Sequence, residues 1–152
     1  IGNATNALLD NPDQIQLAAN DPSLVPGIIE ETLRYEAPIR LLFREALRDT
    51  EIAGTRIPKG SFVSPLIASA NRDERRFPDP DRFDITRKPQ GHLGFGFGAH
   101  FCLGASLARL ETRAALEALV PRLERLERVE PTQHVDSILI RGPSTLVLRP
   151  AA

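Results

Sequence analysis

Phe95-Gly96-Phe97-Gly98-Ala99-His100-Phe101-Cys102-Leu103-Gly104 is the stretch on which the reading of this chain turns. Three glycines within nine residues let the backbone turn tightly and come close to something flat or bulky. Directly behind them, Leu103, Leu107, Leu110 and Ala114 follow helical steps and predict a helix with this stripe as its buried face. Cys102 therefore stands just before a helix, where free N–H groups and the helix dipole favour an anion. Such a site favours the thiolate, the form of cysteine that binds metal or attacks an electrophile.

Four chemistries compete for that cysteine. A lone cysteine is most often a small buried hydrophobe. A nucleophile needs a base in reach, and His100 could serve. Zinc needs further ligands; only His92 is near, and His-x-Cys on one tight loop is poor tetrahedral spacing. A phosphate-binding loop is weaker still, because no Gly-Lys-Ser/Thr follows.

Taken as a pattern, Phe95-Gly96-x-Gly98-x-His100-x-Cys102-x-Gly104 resembles the haem-binding motif of the cytochrome P450 superfamily of haem-thiolate monooxygenases. Six fixed positions, each met about once in twenty by chance, give odds on the order of 10⁻⁸ per start site. Leu107-Ala108-Arg109-Leu110-Glu111 continues the likeness, most closely to soluble bacterial members. The resemblance implies that Cys102 is the axial ligand of haem b iron, where thiolate donation favours O–O cleavage. It places Phe95 beside that ligand, with Gly96 allowing close approach to the porphyrin. The amides of Leu103 and Gly104 are set to hydrogen-bond the sulfur.

Further matches extend along the chain. Glu31-Thr32-Leu33-Arg34 resembles the family's Glu-x-x-Arg motif, with both side chains on one helix face. Pro80-Asp81-Arg82-Phe83 resembles the segment that supplies a second arginine. The resemblance thus implies a buried structural triad of Glu31, Arg34 and Arg82, with Glu30 the rival carboxylate. Arg44 and His100 occupy positions that contact haem propionates in the family, as anions buried near protein require. Arg40, Leu41, Leu42 and Ile138 fall in segments that line the family's substrate pocket. Their apolar bias suggests a small hydrophobic substrate, with Arg40 a polar anchor. The family's use of the proximal face implies a ferredoxin-type electron donor, for which Arg109 and Arg113 are candidate contacts, an internal ion pair being the equal alternative for Arg109. Thr5 lies too close to Pro12 to be the family's oxygen-activating threonine, and His134 reads as exposed.

Composition agrees with a folded domain. Of 152 residues, 41% are hydrophobic and 26% charged, and no apolar run approaches the length of a membrane span. A net charge of −1 gives no reason to expect nucleic acid. One cysteine excludes an internal disulfide. Without a signal-peptide layout at its start the chain reads as cytoplasmic. It contains no methionine and opens at Ile1, so it reads as a piece of something longer.

The expected architecture is mixed α and β, mainly α: the C-terminal haem-binding part of the cytochrome P450 fold. Residues 1–152 read as that part of a single monooxygenase domain, with the ligand loop and its helix at 92–120. Asn11-Pro12 predicts a helix over 11–19, and a second over 24–35 stops before Pro38. Turns within 43–67 predict small strands, 71–91 reads as ordered irregular chain, and Pro121 should stop the third helix. Residues 138–140 and 145–148 read as the two arms of a hairpin. Two functions remain open: a haem-thiolate monooxygenase using O2 and external electrons, or a non-catalytic haem-binding or interaction fragment derived from that family.

Overall fold

The computed structural model describes residues 1–88 and 91–151. Its first half is helical. α1 spans Gly2–Asp10 and α2 spans Pro12–Asn20. Asn11 stands between them, its side-chain amide donating to the Ala7 carbonyl at 2.8 Å and so closing α1. Asp21 ends α2 and caps a 3₁₀ turn at Pro22–Leu24, accepting from the amide and hydroxyl of Ser23. α3, Val25–Tyr35, follows directly. Val25, Ile28, Ile29 and Leu33 recur at helical spacing and are buried, and the helix ends ahead of Pro38.

A run of small ribbons comes next: β1 (Arg44–Glu45), β2 (Thr50–Ile52), β3 (Thr55–Ile57) and β4 (Phe62–Val63). β2 and β3 form a hairpin, whereas β1 reaches past it to pair antiparallel with β4, Arg44 opposite Val63. A single helical turn, α4 at Ile67–Ala70, leads into irregular chain. Phe77, Phe83 and Ile85 pin that chain to the body by burial.

α5, Ala105–Leu123, crosses behind α2 and α3. The core formed there by Leu8, Ile15, Ile28, Ile85, Leu116 and Leu123 is closed to solvent. Here the sequence expectation fails. Ala105, Leu116, Val120 and Leu123 make the buried face, while Leu103, Leu107 and Leu110 point outward and Ala114 is exposed. α5 is apolar on two sides, and periodicity alone does not tell which one the remaining chain covers. Pro121 lies inside the last turn and does not stop it, because burial of Val120 and Leu123 holds that turn in place.

The C-terminal strands β5 (Leu126–Arg128), β6 (Gln133–His134), β7 (Pro143–Thr145) and β8 (Leu148–Pro150) pair as β5 with β8 and β6 with β7. The expected hairpin of 138–140 with 145–148 is absent. Ile140 instead bridges Ile39, Arg40 donates to the Leu139 carbonyl, and Arg141 donates to that of Pro38. The main chain of 138–141 is thereby committed to the segment after α3.

One contact controls how closely these layers meet. A Cβ on Gly27 of α3 would lie 2.1 Å from the Ile85 carbonyl oxygen. Gly27→Ala must therefore push residues 83–87 off the helix, which should cost about 1–3 kcal/mol. Chemical unfolding of the whole protein measures it; an unchanged midpoint would show that the two segments separate freely.

Candidate functional site

Residues 93–105 form a compact loop. Gly96 and Gly98 adopt φ of +76° and +73°, the left-handed region that side chains avoid. Gly96 donates to the Leu93 carbonyl, and Cys102 donates to that of Phe95 at 2.9 Å, folding the loop across itself. A 3₁₀ turn at Gly98–His100 then leads to Cys102, whose own carbonyl accepts from Ala105 as α5 begins. The thiol is exposed, and its sulfur has no hydrogen bond among the described residues. The amides of Leu103 and Gly104 likewise have no acceptor there, the sulfur included.

Cys102 borders an apolar cleft of about 310 Å³ shared with Leu33, Ile39, Leu42, Phe95 and His100. Three of the expected site residues, Cys102, His100 and Phe95, thus meet at one surface, and Leu42 joins them from the segment after α3. Gly96 is at the cleft too. Leu41 is half-buried; Arg40 and Ile138 are exposed on paired segments, brought near each other by the Arg40–Leu139 hydrogen bond. Arg44 is an exposed β1 side chain that donates to the Phe43 carbonyl at 2.8 Å. Leu103 is fully exposed. Thr5 is buried on α1 and its hydroxyl donates back to the Ile1 carbonyl, an ordinary helical use. His134, expected to be exposed, is half-buried in β6.

Behind the loop, Glu31 and Arg34 make a bidentate ion pair at 2.7 and 2.8 Å with both side chains fully buried. The third member differs from the expectation. Arg82 contributes only its main-chain carbonyl, which accepts from Arg34, while its side chain is exposed. The guanidinium that reaches Glu31 is Arg87, at 3.2 Å, anchored by the carbonyls of Pro78 and Asp79. Burial of Phe83 and Ile85 on either side fixes the chain so that position 87, not 82, faces the carboxylate.

Sequence reasoning missed two further groups. Asn71 is completely buried and joins three segments: its side chain donates to Leu33 and accepts from the Leu93 amide, and its carbonyl accepts from Arg34. The Asn71-Arg72-Asp73 turn was visible; nothing local marked the asparagine as a junction. Glu30, set aside as the rival carboxylate, accepts from Arg109 at 2.6 and 3.0 Å and pairs with His92 at 2.9 Å. Both ring nitrogens of His92 are thereby engaged, by Glu30 and by the Gly94 amide, and the zinc alternative for Cys102 loses its further ligand. Burial pushes the Glu30 carboxyl up, but the hydrogen bonds and charges of Arg109 and His92 outweigh it and hold it at about 2. Of the two roles open to Arg109, the structure shows the internal ion pair, with Glu30; Arg113 is exposed and pairs with Glu117 along α5.

The geometry is that of a mainly helical body with small antiparallel ribbons, carrying one exposed thiol on a glycine loop beside an apolar cleft. Comparison with known proteins gives the family. The family model described as Cytochrome P450 matches residues 14–150. Cytochrome P450 107B1 of Saccharopolyspora erythraea is 47% identical over all of this chain and 38% of its own length. Cytochrome P450-terp of a Pseudomonas species is 44% identical over 97% of the chain and 35% of its own. Cytochrome P450 CYP109Q5 from Chondromyces apiculatus superposes with a TM-score of 0.93 at 55% identity, covering 99% of this chain and 39% of that one. The chain belongs to the cytochrome P450 family, whose members carry haem. It spans less than two-fifths of the length of these curated relatives. No helix among the described residues is long and apolar enough to cross a membrane.

The residues fit such a group. The thiol is free, the cleft lining is apolar, and a Cβ on Gly98 would meet open space.

Two outcomes test the electrostatics of α3. Removing Glu31 as alanine strands Arg34 in the interior, at a cost of about 3–5 kcal/mol; Glu31→Ala should yield misfolded or haem-free protein, and normal haem content would show that the interior tolerates the lone cation. For Glu30 the folded carboxyl titrates below its ordinary range. Its contribution is therefore present above about pH 4.5 and is lost as pH falls toward 2. The stability gap between wild type and Glu30→Gln should close across that window in acid unfolding, and a constant gap would contradict the pairing.

Proposed function

We propose that the protein containing these residues is a haem b-dependent monooxygenase that inserts one oxygen atom from O2 into a small hydrophobic substrate. The observation that carries this is the exposed Cys102 thiol at an apolar cleft, on a loop whose glycines at 96 and 98 take positive φ. Bound at Cys102, haem supplies the iron on which oxygen is activated.

This chain's own residues do the rest. The Cys102 thiolate would hold the haem iron and would donate charge to it. The amides of Leu103 and Gly104, free of other acceptors, stand beside the sulfur in sequence to offset that charge. Phe95 excludes water on the ligand's side, packed edge-on against Phe101 at 6.3 Å. His100 and Arg44 supply a donor and a cation for the propionates. Leu42, with Leu41, Arg40 and Ile138, shapes the substrate side. Support comes from CYP109E1 of Bacillus megaterium, whose solved structure is a complex with testosterone, an apolar ligand; it superposes with a TM-score of 0.95 at 34% identity.

Electrons come from a ferredoxin-type donor docking near Cys102, for which the exposed Arg113 is the available contact on α5. The setting is the cytoplasm. The pair of Glu31 and Arg34 holds the loop for haem incorporation and does not touch substrate.

Reduced whole protein under carbon monoxide should show the strongly red-shifted Soret band of thiolate ligation, and Cys102→Ser should abolish it. An unchanged spectrum in that variant would remove Cys102 as the ligand.

A further inference from the structure

Glu30 and Glu31 are neighbours on α3, yet they serve different networks. Glu31 faces the irregular chain; Glu30 faces the cysteine loop and is 30% exposed at its side chain. Its two oxygens grip the Arg109 fork from α5, and one also meets His92 Nε2. The Gly94 amide donates to His92 Nδ1 at 3.1 Å. Nδ1 thus accepts from the Gly94 amide while Nε2 faces the Glu30 carboxylate.

Arg109 lies with its guanidinium carbon 4.7 Å from the centre of the Phe95 ring. Phe95 in turn accepts the Cys102 amide at its carbonyl. One carboxylate thus connects α3, α5, the start of the loop and the residue hydrogen-bonded to the thiol's own backbone. Arg109 is held above its ordinary range by its hydrogen bond to Glu30, against burial, with the charges of Glu30 and Cys102 adding to the effect. The guanidinium and the sulfur are within electrostatic reach of each other.

We propose that Glu30 is a positioning residue that neutralises Arg109 beside the cysteine loop, so that the pair sets the electrostatic field on the Cys102 sulfur. This rests on the reading of Cys102 as the haem ligand. A merely structural tie needs no particular net charge. A field-setting pair does: one-electron reduction adds negative charge to the iron–thiolate unit, which a nearby cation favours and a nearby anion opposes.

The test is the reduction potential of haem-loaded whole protein, measured for all variants at one pH. Glu30→Gln leaves Arg109 uncompensated and should raise the potential. Arg109→Gln leaves Glu30 uncompensated and should lower it. Each shift should be about tenfold in the reduction equilibrium, or about 59 mV for one electron. The double variant Glu30→Gln/Arg109→Gln should return near wild type, and so should Arg109→Lys, which keeps the charge and loses the fork.

Potentials that all move the same way, or do not move, would overturn the proposal. So would failure of the double variant to load haem, which would make the pair a folding element only. Absence of the thiolate carbon monoxide band from wild type would instead overturn the ligand assignment, and this inference with it.

Discussion

Every polar hydrogen of the Arg34 guanidinium is satisfied, and much of the molecule is arranged to satisfy it. Nε and one Nη2 hydrogen go to the Glu31 carboxylate. The other three go to the carbonyls of Asn71, Pro80 and Arg82. An ion pair fully removed from water loses its hydration, and only such complete hydrogen bonding makes the burial tolerable. The three carbonyls come from chain without helix or strand, so that segment takes its order from Arg34 and not from a ladder. Glu31 does the same from its side, accepting the Asp84 amide and the Arg87 guanidinium. Two charges on one helical turn thus tie down the irregular chain from Asn71 to Arg87.

This explains which features were legible in the sequence. The Cys102 loop was readable because its phenylalanine, glycines, histidine and cysteine resemble a family motif at six fixed positions; the residues alone left four chemistries open. α3 was readable because a proline precedes it, another follows it, and its apolar spacing has one phase. The identity of the arginine facing Glu31 was not: Arg82 and Arg87 differ only in how the intervening chain turns. That turn is set by Phe83 and Ile85 finding the core, and by the Ile85 amide reaching Gln14 on α2. No local pattern carries information about a partner 71 residues away.

α5 shows a different limit. Leu107 and Leu110 on it, with Leu103 just before it, keep helical spacing and still face outward. A helix that is apolar on two faces belongs between two layers. Among the described residues only one layer is present, supplied by α2 and α3. Exposed apolar side chains gather on the loop and its flank as well, at Phe97, Phe101 and Leu103 around the thiol. A contiguous exposed apolar surface of this kind marks a place where something else packs. At the loop, a flat apolar cofactor ligated by Cys102 meets that requirement.

The placement of two adjacent carboxylates then becomes intelligible. Consecutive residues on an α-helix point about 100° apart, since 3.6 residues complete a turn. Glu31 therefore looks into the protein, where it must be fully paired, and Glu30 looks along the surface toward α5, where partial exposure is affordable. The inner pair fixes the chain that ends at the loop, through Asn71 and the Leu93 amide. The outer pair fixes the loop's own aromatic, through Arg109 over Phe95. Between Leu93 and Phe95 lies Gly94, where a Cβ would come within 2.7 Å of the Leu33 carbonyl on the same helix. α3 thus touches the loop at three successive residues by three different forces: an amide held through Asn71, direct backbone packing, and a charge delivered through arginine. A thiol proposed to hold a metal is best carried on a loop so constrained, because the glycines at 96 and 98 would otherwise leave it loose.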